Sequence, residues 1–382
     1  MSESRRVLMT WATAAFAAAC ASCAVFAASA GATVTLVAKG LDNPRGLAFG
    51  PGGRLYVAEA GHGADPGSKE CIPEANAGGG ALCIGFTSGI SEIDASGVHR
   101  VVSGLVSEAG EDGSAATGID GIAVHGNGGL YGIEAEASDK IPSAAGKYLS
   151  NETIAMARAQ MGRLIQANPS GHWKVAADVG HFDFQWSAEH KELVPEQFPD
   201  ANPYDVFAAP GERWVVDAAA NTLDEVRPNG SVGVVAFFPN PPLSDAVPTC
   251  LDRGPDGAFY VGELTGGGNG HGASTVWRVV PGQQPEAWAT GLTAVTGCGF
   301  GSDGQFYAAE FSTLGFESFK PETGDVVRVP AHSTSQTPIA SGLSFPGGFA
   351  AGPNGAIYVS NWSIAPANSG GGPTGQVIRI TP

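Results

Sequence analysis

Two columns of polar residues recur at fixed spacing along this chain, and they carry most of its chemistry. One column holds Glu59, Glu134, Asp217, Glu263, Glu310 and Asn361, each closing a short apolar run that contains an aromatic residue. Carboxylate and amide oxygens are what calcium takes as ligands, so acids at equivalent positions could form a cation-holding collar. Polar residues at strand ends also accept backbone N–H bonds from their own turns, which is the simpler role for the same column. The other column is chemically mixed, as a site for a small organic ligand would be: Arg45, Asp120, Tyr204 with Asp205, Thr249, Thr296 and Gly347. Asp120, with neighbouring carboxylates, is also the residue around which calcium-assisted hydrolysis would be built.

Histidine adds little to either column. His62 and His271 stand in Gly-rich loops and could act as general bases near neutral pH, although solvated loop histidines would read the same way. No G-x-S-x-G elbow, H-E-x-x-H helix, EF-hand loop or phosphate-cradling glycine loop occurs. Cys71 and Cys83 bracket eleven residues of one loop, and Cys250 and Cys298 are 48 residues apart, near the starts of neighbouring strands. Both pairs are placed for disulfides, whereas the close spacing of a zinc site is missing.

The composition narrows the class of protein that positions these residues. The chain has 382 residues, with 20 Lys and Arg against 37 Asp and Glu, a net charge of −17 that repels nucleic acid and anionic membrane surfaces. It is 43% apolar and only 15% charged, with 56 Gly and 26 Pro, the balance of many short strands joined by turns. Residues 1–30 read as a secretory signal peptide: MSESRR, an Ala-rich stretch from Val7 to Phe26, and Ala28-Ser29-Ala30 before Gly31, with cleavage near Ala30. A membrane anchor and a lipoprotein acylated at Cys20 or Cys23 are competing readings. The mature chain, 31–382, is expected to be a monomer in the periplasm or outside the cell, where disulfides persist.

One pattern recurs through that mature chain: an apolar strand, a Gly-rich turn, then a second strand with an aromatic and a terminal acid or amide. The copies include NPRGLAFGPGGRLYVAE (43–59), TGIDGIAVHGNGGLYGIE (117–134), VPTCLDRGPDGAFYVGE (247–263) and SFPGGFAAGPNGAIYVSN (344–361), with two more at 202–217 and 294–310. Their aromatic position holds Tyr56, Tyr131, Trp214, Tyr260, Tyr307 and Tyr358, so it takes five of the chain's seven tyrosines. A second hairpin follows most copies, which makes each unit four antiparallel strands, one blade of an all-β, six-bladed propeller. The last copy lacks its fourth strand, and VTLVAKGL (34–41) has the texture to supply it by pairing into the last blade. A degenerate seventh blade within 183–201 is the competing reading, and helices are expected within 139–160 and at 187–198. Loops 60–88, 135–160, 264–274, 311–323 and 362–374 open on the same face as both polar columns, the face where a site is expected.

NPRGLAFGPGGRLYVAEAG, the NPY before the third copy and VPTCLDRGPDGAFYVGELTG resemble the ScyD/ScyE family of secreted propeller proteins, over Val34 to Pro382. The resemblance implies a six-bladed propeller exported to the periplasm or beyond. The founding members are encoded with the enzymes that make scytonemin, and most relatives have no assigned reaction. The expectation is therefore a binding or accessory protein for a small organic ligand, acting on the acidic loop face. The alternatives are a calcium-assisted hydrolase or lactonase of the gluconolactonase or paraoxonase type, and a protein-interaction scaffold. In those hydrolases calcium is held by acids and amides that begin the channel strands, and only Asp120 and Asp205 match here. A quinone-dependent sugar dehydrogenase would need a set of His and Arg that this scaffold does not offer.

Overall fold

Six antiparallel sheets form the ring in a computed structural model that describes residues 27–28, 32–75, 80–126, 128–239, 245–266, 271–364 and 373–381. Residues 1–26 and 29–30 of the expected leader lie outside the described residues, as do Gly31 and, in the expected loops, 76–79, 267–270 and 365–372. The innermost strands of the blades are Pro44–Phe49, Ile119–His125, Pro203–Ala209, Pro248–Arg253, Val295–Phe300 and Phe349–Ala351. In blades two to five the strands then run outward in chain order, whereas in blade one the short strand Cys71–Ile72 pairs with the later Leu82–Asp94. Blade six takes its outermost strand from the other end of the chain: Thr33–Leu41 pairs antiparallel with Gly375–Thr381, Thr33 opposite Thr381 and Leu41 opposite Gly375. The expected closure is thus observed, and it covers the free edge that the last blade would otherwise present. Ala27–Ala28 pairs with the outer strand of blade five, Thr337–Leu343.

The apolar core is divided among the blade interfaces. Leu47, Val57 and Leu41 pack between blades one and six, and Ile90, Ile119 and Ile165 between one and two. Val215 with Ile133, Phe259 with Val216, Phe306 with Val276, and Val359 with Val326 fill the remaining four interfaces. A blade buries its faces only against its neighbours, so the ring folds as one unit. The Cys250–Cys298 disulfide joins blades four and five, its Cα atoms 5.6 Å apart, and Cys71–Cys83 spans one antiparallel pair in blade one.

The repeated turn explains the aromatic column. In the turns that open at Gly50, Gly254, Gly301 and Gly352, the first glycine N–H donates to the carbonyl four residues on, each time at 2.8 Å. The tyrosine of the following strand then lies against that glycine: a Cβ built on Gly352 would meet Tyr358 Cε2 at 2.3 Å, and one on Gly254 would meet Tyr260 Cε2 at 2.4 Å. The last glycine of each turn, such as Gly257 at φ +82° and Gly304 at φ +75°, supplies the left-handed residue that ends it.

Three expectations need correction. Residues 60–88 are not simply a loop, because blade one's outer hairpin, Leu82–Asp94 with Gly97–Gly110, continues well beyond the ring and carries a short strand at Cys71–Ile72. The helix expected at 187–198 lies instead at Val179–Glu189 (α2 below), begun by Asp178, whose carboxylate accepts the His181 N–H at 3.2 Å. Pro195 falls inside the expected span and cannot continue a helix, and residues 191–197 form turns. The competing seventh blade is therefore absent, since α2 and these turns account for 183–201. The other helix matches: Asn151–Gln160 (α1), capped by Ser150, whose hydroxyl accepts the Thr153 N–H at 3.1 Å.

Gly352→Ala tests the glycine–tyrosine contact without backbone strain, because φ at Gly352 is −97° and suits any residue. Tyr358 is held from behind by Phe49, ring centroids 4.9 Å apart, and has little room to retreat. A destabilisation of about 1–3 kcal/mol is expected in urea unfolding; an unchanged midpoint would contradict this packing.

Candidate functional site

The mixed column comes together as expected. Arg45, Asp120, Tyr204, Thr249, Thr296 and Gly347 all line a cavity of about 560 Å³ at the mouth of the channel. Asp205 lies deeper, beside a space of about 30 Å³. Beneath the cavity the channel narrows to that small space, and the innermost strands of neighbouring blades touch backbone to backbone: a Cβ on Gly348 would meet Arg45 O at 2.3 Å, and one on Gly297 would meet Gly347 O at 2.4 Å. The mouth is therefore a bowl with a floor.

Part of that floor holds the ring together. Thr249 donates to Val295 O at 2.6 Å and Thr296 to Pro346 O at 2.8 Å, each reaching the next blade. Asp205 accepts the Leu251 N–H of blade four at 2.9 Å and its neighbour Val206 N–H at 2.8 Å. An Nη of Arg45 donates to Ala116 O, just before blade two.

Spare capacity is concentrated at Asp120. Both of its oxygens accept no hydrogen bond among the described residues, and the residue is 2% exposed. Arg45 Nε lies 3.5 Å from Asp120 Oδ1, too long for a hydrogen bond, and is itself unpartnered. Burial pushes the Asp120 carboxyl up to about 7, with Arg45 opposing the rise. Burial likewise lifts the Tyr204 hydroxyl to about 12, so it stays neutral and able to donate.

The cavity walls were not foreseen. One wall comes from the extended hairpin of blade one and the insertion carrying α1, which share an apolar cluster of Ile72, Ile84, Ile141 and Met161. The Gln160 side chain secures α1 to that hairpin, accepting the Val106 N–H at 2.7 Å. The other wall is aromatic and belongs to blades four to six: Phe311, Phe316 and Phe319 with Leu264 and Ile364. Three charged residues also escaped the sequence reading, namely Glu108 on the hairpin and Glu136 and Lys140 after blade two's second strand. Burial, then the nearby Glu136, raise the Glu108 carboxyl to about 8. Lys140 is buried against its charge, but Glu136 at 2.5 Å and Asp200 at 2.7 Å outweigh that and keep it protonated. The sequence signals for this group were the unusual length of the segment between blade one's second strand and blade two, which holds Glu108, and the 135–160 loop, which holds Glu136 and Lys140.

The acidic column has a different function from the one a cation collar would need. Glu59 accepts the Asp42 N–H at 2.7 Å, Glu310 the Thr293 N–H at 2.7 Å, and Asn361 the Ser344 N–H at 2.8 Å, each sealing the entry to its own blade. Asp217 takes the N–H groups of Asn202, Ala219 and Ala220, and Glu263 that of Thr275. Glu134 is the exception: the Thr117 N–H that would serve it is bonded to Glu108 O, and its carboxyl is left without a hydrogen bond, raised well above normal by burial. Among the described residues no three His, Cys, Asp or Glu side chains cluster closely enough to hold a metal. His62 pairs with Asp42 through Nδ1, and neither it nor His271 lines the cavity.

No family model matches the sequence, and no curated protein does. Solved structures match it as propellers. One from Thermus thermophilus, provisionally described as an oxidoreductase (glucose dehydrogenase), is 15% identical with a TM-score of 0.53, over 92% of this chain and 100% of that one. A protein of unknown function from Bacteroides thetaiotaomicron is 10% identical with a TM-score of 0.54, over 92% of this chain and 76% of that one. A gluconolactonase from Xanthomonas campestris is 11% identical with a TM-score of 0.49, over 92% and 90%. At these identities the likeness is one of fold.

The raised carboxyls fix a pH dependence. Glu108 at about 8 and Asp120 and Asp205 at about 7 stand above their unfolded values of about 4, so between those limits the folded state binds more protons than the unfolded one. Stability therefore falls as pH rises through that window. The melting temperature is expected to be lower at pH 8 than at pH 5; a rise over that range would contradict the burial of these acids.

Proposed function

We propose that this protein is a secreted, ScyD/ScyE-like propeller that binds a small organic molecule, one with an apolar body and a polar head, in the bowl at the channel mouth. The observation that carries this reading is the cavity itself: about 560 Å³, with Asp120 oxygens and the Arg45 Nε that form no hydrogen bond on its floor and apolar clusters on two sides. Pockets for small molecules combine mainly apolar walls with a few placed polar groups, and this volume lies within their usual range. Two disulfides support an oxidising compartment, and the leader-like residues 1–30 supply the export route.

The calcium-assisted lactonase has less to stand on. Its ligand set would begin with Asp120 and Asp205, but the Asp205 carboxylate already accepts two backbone N–H groups. Glu108 and Glu136 also line the mouth, but Glu136 is paired with Lys140, and the Thr249 and Thr296 hydroxyls are committed to neighbouring carbonyls. These residues do not fit a calcium site, and no hydrolytic step is derived through one.

Fluorescence titration with the neutral probe N-phenyl-1-naphthylamine tests the binding reading. Saturable one-to-one binding is expected, weakened roughly tenfold by Phe316→Ala, the loss of about 1.4 kcal/mol of aromatic contact. Non-saturating binding, or affinity indifferent to Phe316, would contradict it.

A further inference from the structure

We propose that the head group taken by the cavity is a cation, a protonated or quaternary amine on an apolar body, seated against Glu108, Asp120 and Glu136. This rests on the channel mouth being the binding site and adds the charge of its ligand.

The argument begins with how the lining is distributed. Acids enter from blades one and two, while the aromatic wall of Phe311, Phe316 and Phe319 enters from blade five. An occupant spanning the bowl would meet carboxyls at one end and ring faces at the other, and both favour positive charge. The two cations that line the cavity with these acids are already engaged. Lys140 is committed to Glu136 and Asp200, at 2.5 and 2.7 Å. Arg45 is tied to Ala116 O and forms only a loose ion pair with Asp120, at 3.5 Å and without a hydrogen bond. Glu108 forms no ion pair among the described residues; its one side-chain bond is from the Thr117 hydroxyl at 3.2 Å. Asp120 is buried, lines the cavity and accepts no hydrogen bond. A buried carboxyl with no donor is costly unless a partner arrives or it holds a proton. An ammonium group supplies both charge and donors to Glu108 and Asp120; an anionic head would meet those two carboxyls, while Arg45 and Lys140 are already engaged.

Proton linkage follows from the same geometry. The groups facing Glu108 and Asp120 are Arg45 from blade one, Glu134 at the end of blade two's second strand, Glu136 and Lys140 from the segment after it, and Tyr204 and Asp205 from blade three. Without a ligand, burial holds Glu108 near 8 and Asp120 near 7, so both carry protons through much of the neutral range. A bound cation favours their ionised forms and expels those protons. Affinity for the cation must then rise with pH between 6 and 8, by up to about tenfold per unit for each proton released.

Three probes with one apolar body separate the possibilities: 4-phenylbutylamine, 4-phenylbutanol and 4-phenylbutyrate, titrated by calorimetry at pH 6 and pH 8, in phosphate and in Tris. At pH 8 the amine is expected to bind at least about tenfold more tightly than the alcohol, with the butyrate weakest. The amine's affinity should rise from pH 6 to pH 8 with measurable proton release, while the alcohol's stays level. Glu108→Gln and Asp120→Asn should each shrink the amine-to-alcohol ratio at pH 8, and melting curves identify a variant that has not folded; either variant alone suffices. An alcohol that binds as tightly as the amine, or a preferred butyrate, overturns the cation assignment and leaves the pocket standing. Failure of all three probes to bind overturns both.

Discussion

Closure of the ring is the constraint on which the rest of the structure depends. No blade of this protein has a core of its own, since its large apolar side chains are shared across the interfaces between neighbours. A ring with one interface missing would expose two apolar sheet faces, and the first and last strands prevent this by pairing Thr33–Leu41 with Gly375–Thr381. Once the ring is closed, the innermost strands of neighbouring blades approach until only glycine fits between several of them, and the channel beneath the mouth narrows to a space of about 30 Å³. The binding bowl is a by-product of that narrowing. Its floor is the top of a packed channel, and its walls are whatever the blades project above it.

The two polar columns divide between them the tasks of holding the ring and facing the bowl. Residues at the end of each second strand bond inward to their own blade, as Glu59 does with the Asp42 N–H. Residues at the start of the innermost strands reach sideways, as Thr249 does to Val295 O in the next blade. The hydrogen bonds make these groups structural even though they stand where a ligand could touch them. Asp120 lacks such a partner, and the electrostatic cost of leaving it there is what makes the mouth of this ring chemically distinct.

Much of the fold was legible because repetition amplifies weak signals. One Gly-rich turn before one tyrosine means little, but the same turn at Gly50, Gly254, Gly301 and Gly352, each with its tyrosine, marks a blade edge. The disulfides and the closing strand were legible for the same reason, since blade spacing places Cys250 beside Cys298 and leaves Thr33–Leu41 the complement of an incomplete sixth copy. What could not be read lies in the insertions, which occur once. The part of blade one's outer hairpin before Gly89 looked like loop because nothing elsewhere in the chain shows how far that hairpin runs. The α2 segment carries weak helix formers and is held by tertiary contacts, with Gly180, Asp183 and Ser187 buried. Glu108, Glu136 and Lys140 belong to such segments, so the mouth column showed the floor of the site while its charged side stayed hidden.

The most direct measurement is a crystal structure of the protein with 4-phenylbutylamine bound. The nitrogen is expected about 3 Å from carboxylate oxygens of Asp120 or Glu108, with the phenyl ring against Phe311 and Phe316. A ligand seated elsewhere, for instance among Glu59, Glu263 and Glu310, with the bowl at the channel mouth unfilled, would contradict the assignment of the site.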